Sequence, residues 1–301
     1  MTIDNIFVVG VGRSGTSIVQ AMLDSHSLIS FFPETQFLRS ILTKKNINFN
    51  CTFNDLLKKY PKLRRITFLN TSLNPSQNLT LLSFYEELRR RQLIQSNAEI
   101  IGDKDPRLIE HIPTLMQLFP DALVLVVVRD PGDVSVSKSK AVWSRGRGWF
   151  LNTLVSYSQI LFQEKFIKQY GENIVVIRYE ELISNPEATL MDICREIGVD
   201  YQSTMLEFRK SAVSLTSPEE EQWKNNITKP IFKNSENWRN HLNYHQINVL
   251  YWLYKDIPIM SDYTLAYKKY IDSQTKRKNL WGKGISSCIK FLAELRVRYV
   301  N

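Results

Sequence analysis

A chain of 301 residues with 43% hydrophobic content is long enough to bury one sizeable core, and its 39 Lys and Arg against 30 Asp and Glu leave a net charge of +9. That excess suits an anionic ligand, nucleic acid or an acidic membrane surface alike, so it decides nothing alone. The three cysteines, Cys51, Cys194 and Cys288, lie far apart with no C-x-x-C and no histidine cluster beside them, which argues against a metal site and reads as reduced thiols of a cytoplasmic protein.

Ile6 to Val9 have the length and β-branching of a strand buried on both faces. The run starts too early to leave room for a signal peptide and is too short to span a bilayer, so no transmembrane segment is expected. Gly10, Gly12 and Gly15 follow, and then Ile18, Val19, Met22 and Leu23 at helical spacing. Strand, glycine-rich turn and helix make an anion cradle, because glycines let several N–H groups point inward and the helix N-terminus adds partial positive charge. Arg13, Ser14, Thr16 and Ser17 crowd further donors into the same turn. The spacing of Gly10, Gly15 and Ser17 approaches a nucleoside-triphosphate loop, but Thr16 stands where that motif needs lysine. An ordinary ligand-free turn is the alternative for the glycines taken alone.

The run Gly12-Arg-Ser-Gly-Thr-Ser-Ile-Val-Gln-Ala-Met-Leu-Asp-Ser-His26, continued by Pro33-Glu-Thr35, resembles sulfotransferases that use 3′-phosphoadenosine 5′-phosphosulfate (PAPS), and among them most of all the tyrosylprotein sulfotransferases and related bacterial enzymes. The resemblance implies that Arg13, Ser14, Gly15, Thr16 and Ser17 grip the phosphosulfate end of the donor. A second strand is predicted over Leu28 to Phe32, with Glu34 just past its carboxyl end, where open α/β sheets bind ligands. Glu34 reads either as a site residue or as a cap of the helix from Thr35 to Leu42. The resemblance implies the former, with Glu34 as general base.

Residues 43–97 change texture: Asn-rich loops separate amphipathic helical patches, one of them Leu81 to Ile94 with Arg89-Arg90-Arg91 on a solvated face. This stretch reads as an inserted helical cap that shapes the acceptor site. Glu99 to Gly102 form the next strand, followed by Asp103-Lys-Asp-Pro-Arg107, with Asp105 as N-cap and Pro106 in the first helical turn. Lys104 is a loop-surface lysine by position alone; by resemblance it is a catalytic cation. His111 reads as an ordinary half-buried histidine.

Ala122 to Val128, with four valines, is predicted as a central parallel strand. Arg129 emerges at its end, Pro131 and Asp133 start a helix, and Ser137 falls within it. Arginine and hydroxyl so placed can pinch one phosphate, though Arg129 could equally pair with Asp130 or Asp133 to staple the turn. The resemblance matches Arg129 and Ser137 to the site of the donor's 3′-phosphate. Lys138, Lys140, Trp143, Arg145 and Arg147 interleave charge and aromatics, a pattern also met in single-stranded nucleic-acid binders, and are read here as a loop near the adenine or the acceptor. Ile174 to Ile177 form a last strand, and the following Arg178-Tyr-Glu implies by resemblance that Tyr179 contacts the nucleotide. A helix from Pro186 to Ile197 closes at Gly198.

Residues 200–230 read as a flexible loop. Asn237-Trp238 faintly matches the family's closing segment, where a lysine on the donor phosphate stands at the position of Asn237; Lys229, Lys233 and Arg239 are candidate substitutes. Residues 276–301 make a basic amphipathic helix for packing on the core or on a partner subunit, so a homodimer stays open. The expected whole is a single α/β domain: a three-layer sandwich with a central parallel sheet of about five strands, like P-loop nucleotide hydrolases. The expected activity is sulfuryl transfer from PAPS to a small-molecule or glycan acceptor, leaving adenosine 3′,5′-bisphosphate, with Glu34 as base, Arg13 and Lys104 as cations, and neither a metal nor a nucleic-acid partner. A P-loop-type small-molecule kinase and a non-enzymatic nucleotide or nucleic-acid binder are the rival readings.

Overall fold

The computed structural model describes residues 3–43, 51–66, 78–216, 235–274 and 280–300. Strands β1 (Asn5–Gly10), β2 (Ile29–Phe31), β3 (Ile100–Lys104), β4 (Leu123–Val128) and β5 (Ile174–Arg178) form one sheet of five parallel strands in the order β2-β3-β1-β4-β5. Parallel strands need covered faces, and alternate residues of β1 and β4 serve two separate cores. Ile6, Val8, Leu123, Leu125 and Val127 meet the helices Thr16–Asp24, Pro186–Ile197 and Arg209–Leu215 on one side. Phe7, Val9, Val124, Val126 and Val128 meet Leu81–Ser96, Gly148–Gln169 and Tyr244–Tyr254 on the other. The expected three layers are therefore present. Of the helices, Thr16–Asp24, Leu81–Ser96, Pro131–Lys140, Gly148–Gln169, Tyr244–Tyr254 and Leu280–Val300 are labelled α1 to α6 in chain order.

Because every strand runs the same way, their carboxyl ends share one edge of the sheet. Register then sets which end residues are neighbours. Val128 lies opposite Arg178, so Arg129 and Tyr179 leave adjacent strands side by side. Phe31 lies opposite Gly102, so the chain beyond β2 runs alongside the end of β3.

The stretch expected as a cap opens with the helix Phe53–Lys59, whose Thr52 N-cap accepts a hydrogen bond from Asp55 N, and continues after the undescribed residues in α2. It is fused to the body: Phe84 packs edge-on against Phe37 at 5.5 Å and, tilted, against Phe53 at 5.9 Å. Arg90 and Arg91 pair with Glu87 on α2, and Arg89 pairs with Glu86 and lies over the Phe119 ring, so only part of the expected solvated face is solvated.

Two expectations need correction, and two readings left open are decided. Residues 200–230 do not begin as a flexible loop: Ser203–Glu207 and Arg209–Leu215 are helical, with Met205, Phe208, Ala212 and Leu215 buried on the sheet, because apolar residues hidden in a polar stretch still find the core. Residues 217–230, with Lys229, and Lys233 beyond them, lie outside the described residues. Lys104 is no loop-surface lysine; it ends β3 and is 1% exposed. Lys138 does not belong to a loop: it lies on the helix Pro131–Lys140, faces into the protein and donates to Ser156 Oγ at 2.7 Å. The helix expected from Thr35 starts at Phe37, with Gln36 rather than Glu34 at the cap position. Of residues 276–301, those in α6 are described; Ile289 and Ala293 are buried against the core, and Arg296 pairs with Glu110.

Candidate active site

The glycine loop joins β1 to α1 through two left-handed residues, Arg13 at φ 79° and Gly15 at φ 106°. Only the second position is glycine, and a Cβ there would also overlap the Tyr179 ring. Gly10 is needed for closeness: a Cβ would sit 2.6 Å from Val127 O on the neighbouring strand. Gly15 caps α1 without any side-chain hydrogen bond, so the first amides of the helix, at Thr16 and Ser17, point out of its N-terminus with no intrahelical acceptor. Ser14 Oγ is buried and has no hydrogen-bond partner. A buried hydroxyl left so is costly, and an anion in the loop would satisfy it.

Two guanidinium groups converge on this loop. Arg13 Nε donates to Ser137 Oγ at 3.0 Å, which places helix α3 against the loop. Arg129 Nη1 donates to Arg13 O at 3.2 Å, and its Cζ stands 4.1 Å from the centre of the Tyr179 ring. Burial, and then the charge of Arg129, hold the Arg13 pKa below its usual value. One half-buried and one buried cation, with three hydroxyl-bearing residues, in one corner are a site built for negative charge. Arg129 is itself backed by carboxylates. Asp130 caps α3, accepting from Gly132 N at 2.7 Å and from Tyr267 Oη, while Asp133 accepts from Trp238 N at 3.0 Å. Burial raises the Asp130 carboxyl to about 7.

The second part of the site lies at the ends of β2 and β3. Lys104 Nζ donates to Glu34 Oε2, pairing a fully buried ammonium with a carboxylate that keeps some exposure. Beside them Asp105 pairs with Arg39 Nε at 2.7 Å, and burial raises the Asp105 pKa against the opposing pull of Arg39. Asp103, one residue before Lys104, points the other way to Tyr85 Oη at 3.1 Å, and burial raises its carboxyl to about 7. His111 is half-buried, and burial lowers its pKa.

Of the residues singled out in the sequence, Arg13, Ser14, Gly15, Arg129, Ser137 and Tyr179 meet in one corner, with Thr16 and Ser17 on the first turn of α1. Glu34 and Lys104 meet in the other. Glu34 also supplies a coulombic influence on Arg13, so the two corners adjoin. Trp143 borders the loop: its ring tip would lie 3.7 Å from a Cβ on Gly12, and Arg147 stands over its indole at 5.9 Å. Arg39, Arg65 and Gln20 went unnoticed in the sequence; Arg39 follows Glu34 by five residues on the next helix, whereas Arg65 carries no local signal.

Residues 5–203 match the model of the Sulfotransferase family, about two thirds of the chain. The chain belongs to the sulfotransferase family. Among its relatives is protein-tyrosine sulfotransferase A of Caenorhabditis elegans, 25% identical over 209 residues that cover 67% of this chain and 51% of the relative. The first relatives matched are longer proteins, of whose length the chain spans 31 to 53%. The fold is shared with the sulfotransferase domain of the Synechococcus PCC 7002 olefin synthase (TM-score 0.56, 18% identity, 92% of this chain and 97% of that one). It is shared also with mouse sulfotransferase SULT7A1, solved in complex with PAP (TM-score 0.51, 16% identity, 90% of this chain and 89% of that one). Among the described residues no helix is long and apolar enough to cross a membrane.

Proposed function

We propose that this sulfotransferase moves the sulfuryl group of PAPS to a hydroxyl or amine of a small-molecule or glycan acceptor, in the cytoplasm. The observation that carries the reading is the convergence of Arg13, Arg129 and Ser137 around a loop whose Ser14 hydroxyl is buried and unsatisfied. The chemistry of this donor set fits PAPS at both of its anionic ends: backbone amides and hydroxyls of residues 13–17 for the phosphosulfate, and Arg129 with Ser137 for the 3′-phosphate. Tyr179, stacked on Arg129, supplies an aromatic edge between them.

PAPS supplies an activated sulfuryl group whose bond to the phosphate oxygen breaks as the acceptor oxygen or nitrogen bonds to sulfur. Glu34 takes the proton that the acceptor loses. Lys104 and Arg13 stabilise the charge that grows on the departing phosphate oxygen, with the product adenosine 3′,5′-bisphosphate carrying it away. Lys104 is held on Glu34 in the resting site, so the same ammonium orients the base and stands ready for the leaving group. Such transfer requires in-line geometry, and the register that sets β3 beside β1 brings the strand that ends in Lys104 next to the strand that enters the glycine loop.

Thermal denaturation separates this reading from its rivals. Adenosine 3′,5′-bisphosphate at about a hundred times its Kd should raise the Tm by roughly 4 °C. ATP with Mg²⁺ should raise it by less. A larger shift with ATP and Mg²⁺ would favour a kinase, and binding that collapses with salt and forms no product would favour a nucleic-acid binder.

A further inference from the structure

The segment that carries Glu34 has little backbone pairing of its own. Past β2, Phe32 N donates to Gly102 O at 3.1 Å, and the chain then runs through Pro33 to Gln36, whose φ of 60° is left-handed. Two of its carbonyls are taken by side chains from elsewhere. Gln20 Nε2 donates to Phe32 O at 2.8 Å, and Arg65 Nη1 donates to Glu34 O at 2.8 Å. Gln20 is buried on α1, the helix whose N-terminus closes the glycine loop. Arg65 ends the turn Pro61–Arg65 of the cap, and its other arm, Nη2, donates to Leu215 O at 2.8 Å, at the end of the helix Arg209–Leu215.

We infer that Gln20 and Arg65 are positioning residues that set where the Glu34 carboxylate stands relative to the donor loop. The inference rests on the reading of Glu34 as the base. Gln20 acts as a ruler: a rigid helix links the glycine loop to the amide that holds Phe32 O, two residues before the base. Arg65 adds a second constraint from the cap. Its planar fork spans two carbonyls from different segments, a geometry that a lysine ammonium does not reproduce. The two donors thus come from the body that holds one reactant and the body that shapes the site of the other, and the base hangs between them. Reacting groups misplaced by about 1 Å lose on the order of a hundredfold in rate, so a carbonyl held from each side has catalytic weight although neither residue touches a reactant.

The test uses Arg65→Met, Arg65→Lys, Gln20→Leu and Glu34→Gln in the full chain, with PAPS as donor and water as the acceptor probe. Three quantities are read: hydrogen exchange of the amides at 34–37, the Kd for adenosine 3′,5′-bisphosphate, and the rate at which PAPS is converted to that product. Arg65→Met and Gln20→Leu are expected to speed exchange at 34–37, to lower turnover about ten- to a hundredfold, and to leave the Kd within about twofold. Arg65→Lys should not restore turnover. Added to Glu34→Gln, Arg65→Met should cost less than about a further twofold. Unchanged exchange at 34–37, or a loss that recurs in full on top of Glu34→Gln, overturns the inference alone. Wild-type turnover in Glu34→Gln overturns the base assignment first, and the inference with it.

Discussion

Arg13 and Arg129 are linked directly, so the residues proposed for the two ends of the donor share one corner of the fold. The sequence suggested separate pockets for the two, yet Arg13 reaches from the loop to Ser137 while Arg129 reaches from β4 to Arg13 O. Burial and the charge of Arg129 both weigh against the Arg13 cation, and an anion bound there would favour it. Arg129→Lys keeps the charge but loses the fork and its stack on Tyr179; isothermal titration should show affinity for adenosine 3′,5′-bisphosphate falling roughly ten- to a hundredfold. Glu34 lies on the other side of that division. Glu34→Ala should reduce turnover by about 10²–10⁴-fold while binding of PAPS stays within a few-fold, measured by initial rates and titration on the same preparation. Activity like that of the wild type would remove Glu34 from the mechanism.

Helix α3 shows how an element can carry function on one face and a cost on the other. Its N-terminus is capped by Asp130, Ser137 meets Arg13, and the next residue, Lys138, is buried against Ser156. Burial pushes the Lys138 ammonium down to about 7, well below the usual lysine range. A folded-state pKa below the unfolded one means that the unfolded chain binds more protons between about pH 7 and pH 10, so this residue's share of stability rises with pH across that window. Lys138→Met removes the penalty. In thermal melts its advantage over the wild type should be largest below about pH 7 and should shrink toward pH 10. A gap that does not change with pH would show that Lys138 titrates normally.

Across the whole molecule the site rests on buried carboxyls of the opposite sign of shift. Asp103, next to Lys104 in the chain, and Asp130, next to Arg129, are both raised by burial to about 7. Each is protonated in the folded protein where it would be ionised in the unfolded chain, so stability contributed by these groups is present near pH 4 and is lost as pH rises through about 7. The Tm of the ligand-free protein should therefore decline over that interval, and Asp103→Asn, which keeps a partner for Tyr85, should flatten the decline; an unchanged slope would refute the assignment. The three layers that hold these groups follow from strands buried on both faces, and the ends of those strands bring both corners of the site to one edge.

The strands, the glycine loop and the Asp105 cap were legible in the sequence because each depends on residues next to one another: β-branched runs, a glycine at the left-handed start of α1, an aspartate before a proline. Arg129 and Ser137 were legible as one motif for the same reason. Partnership across the fold was not. That Lys104 is buried against Glu34, that Arg39 holds Asp105, and that Arg65 and Gln20 hold the segment between them depend on strand order and register. Those are decided by which faces must be covered and which crossovers fit, a sum over the whole core that no local spacing contains.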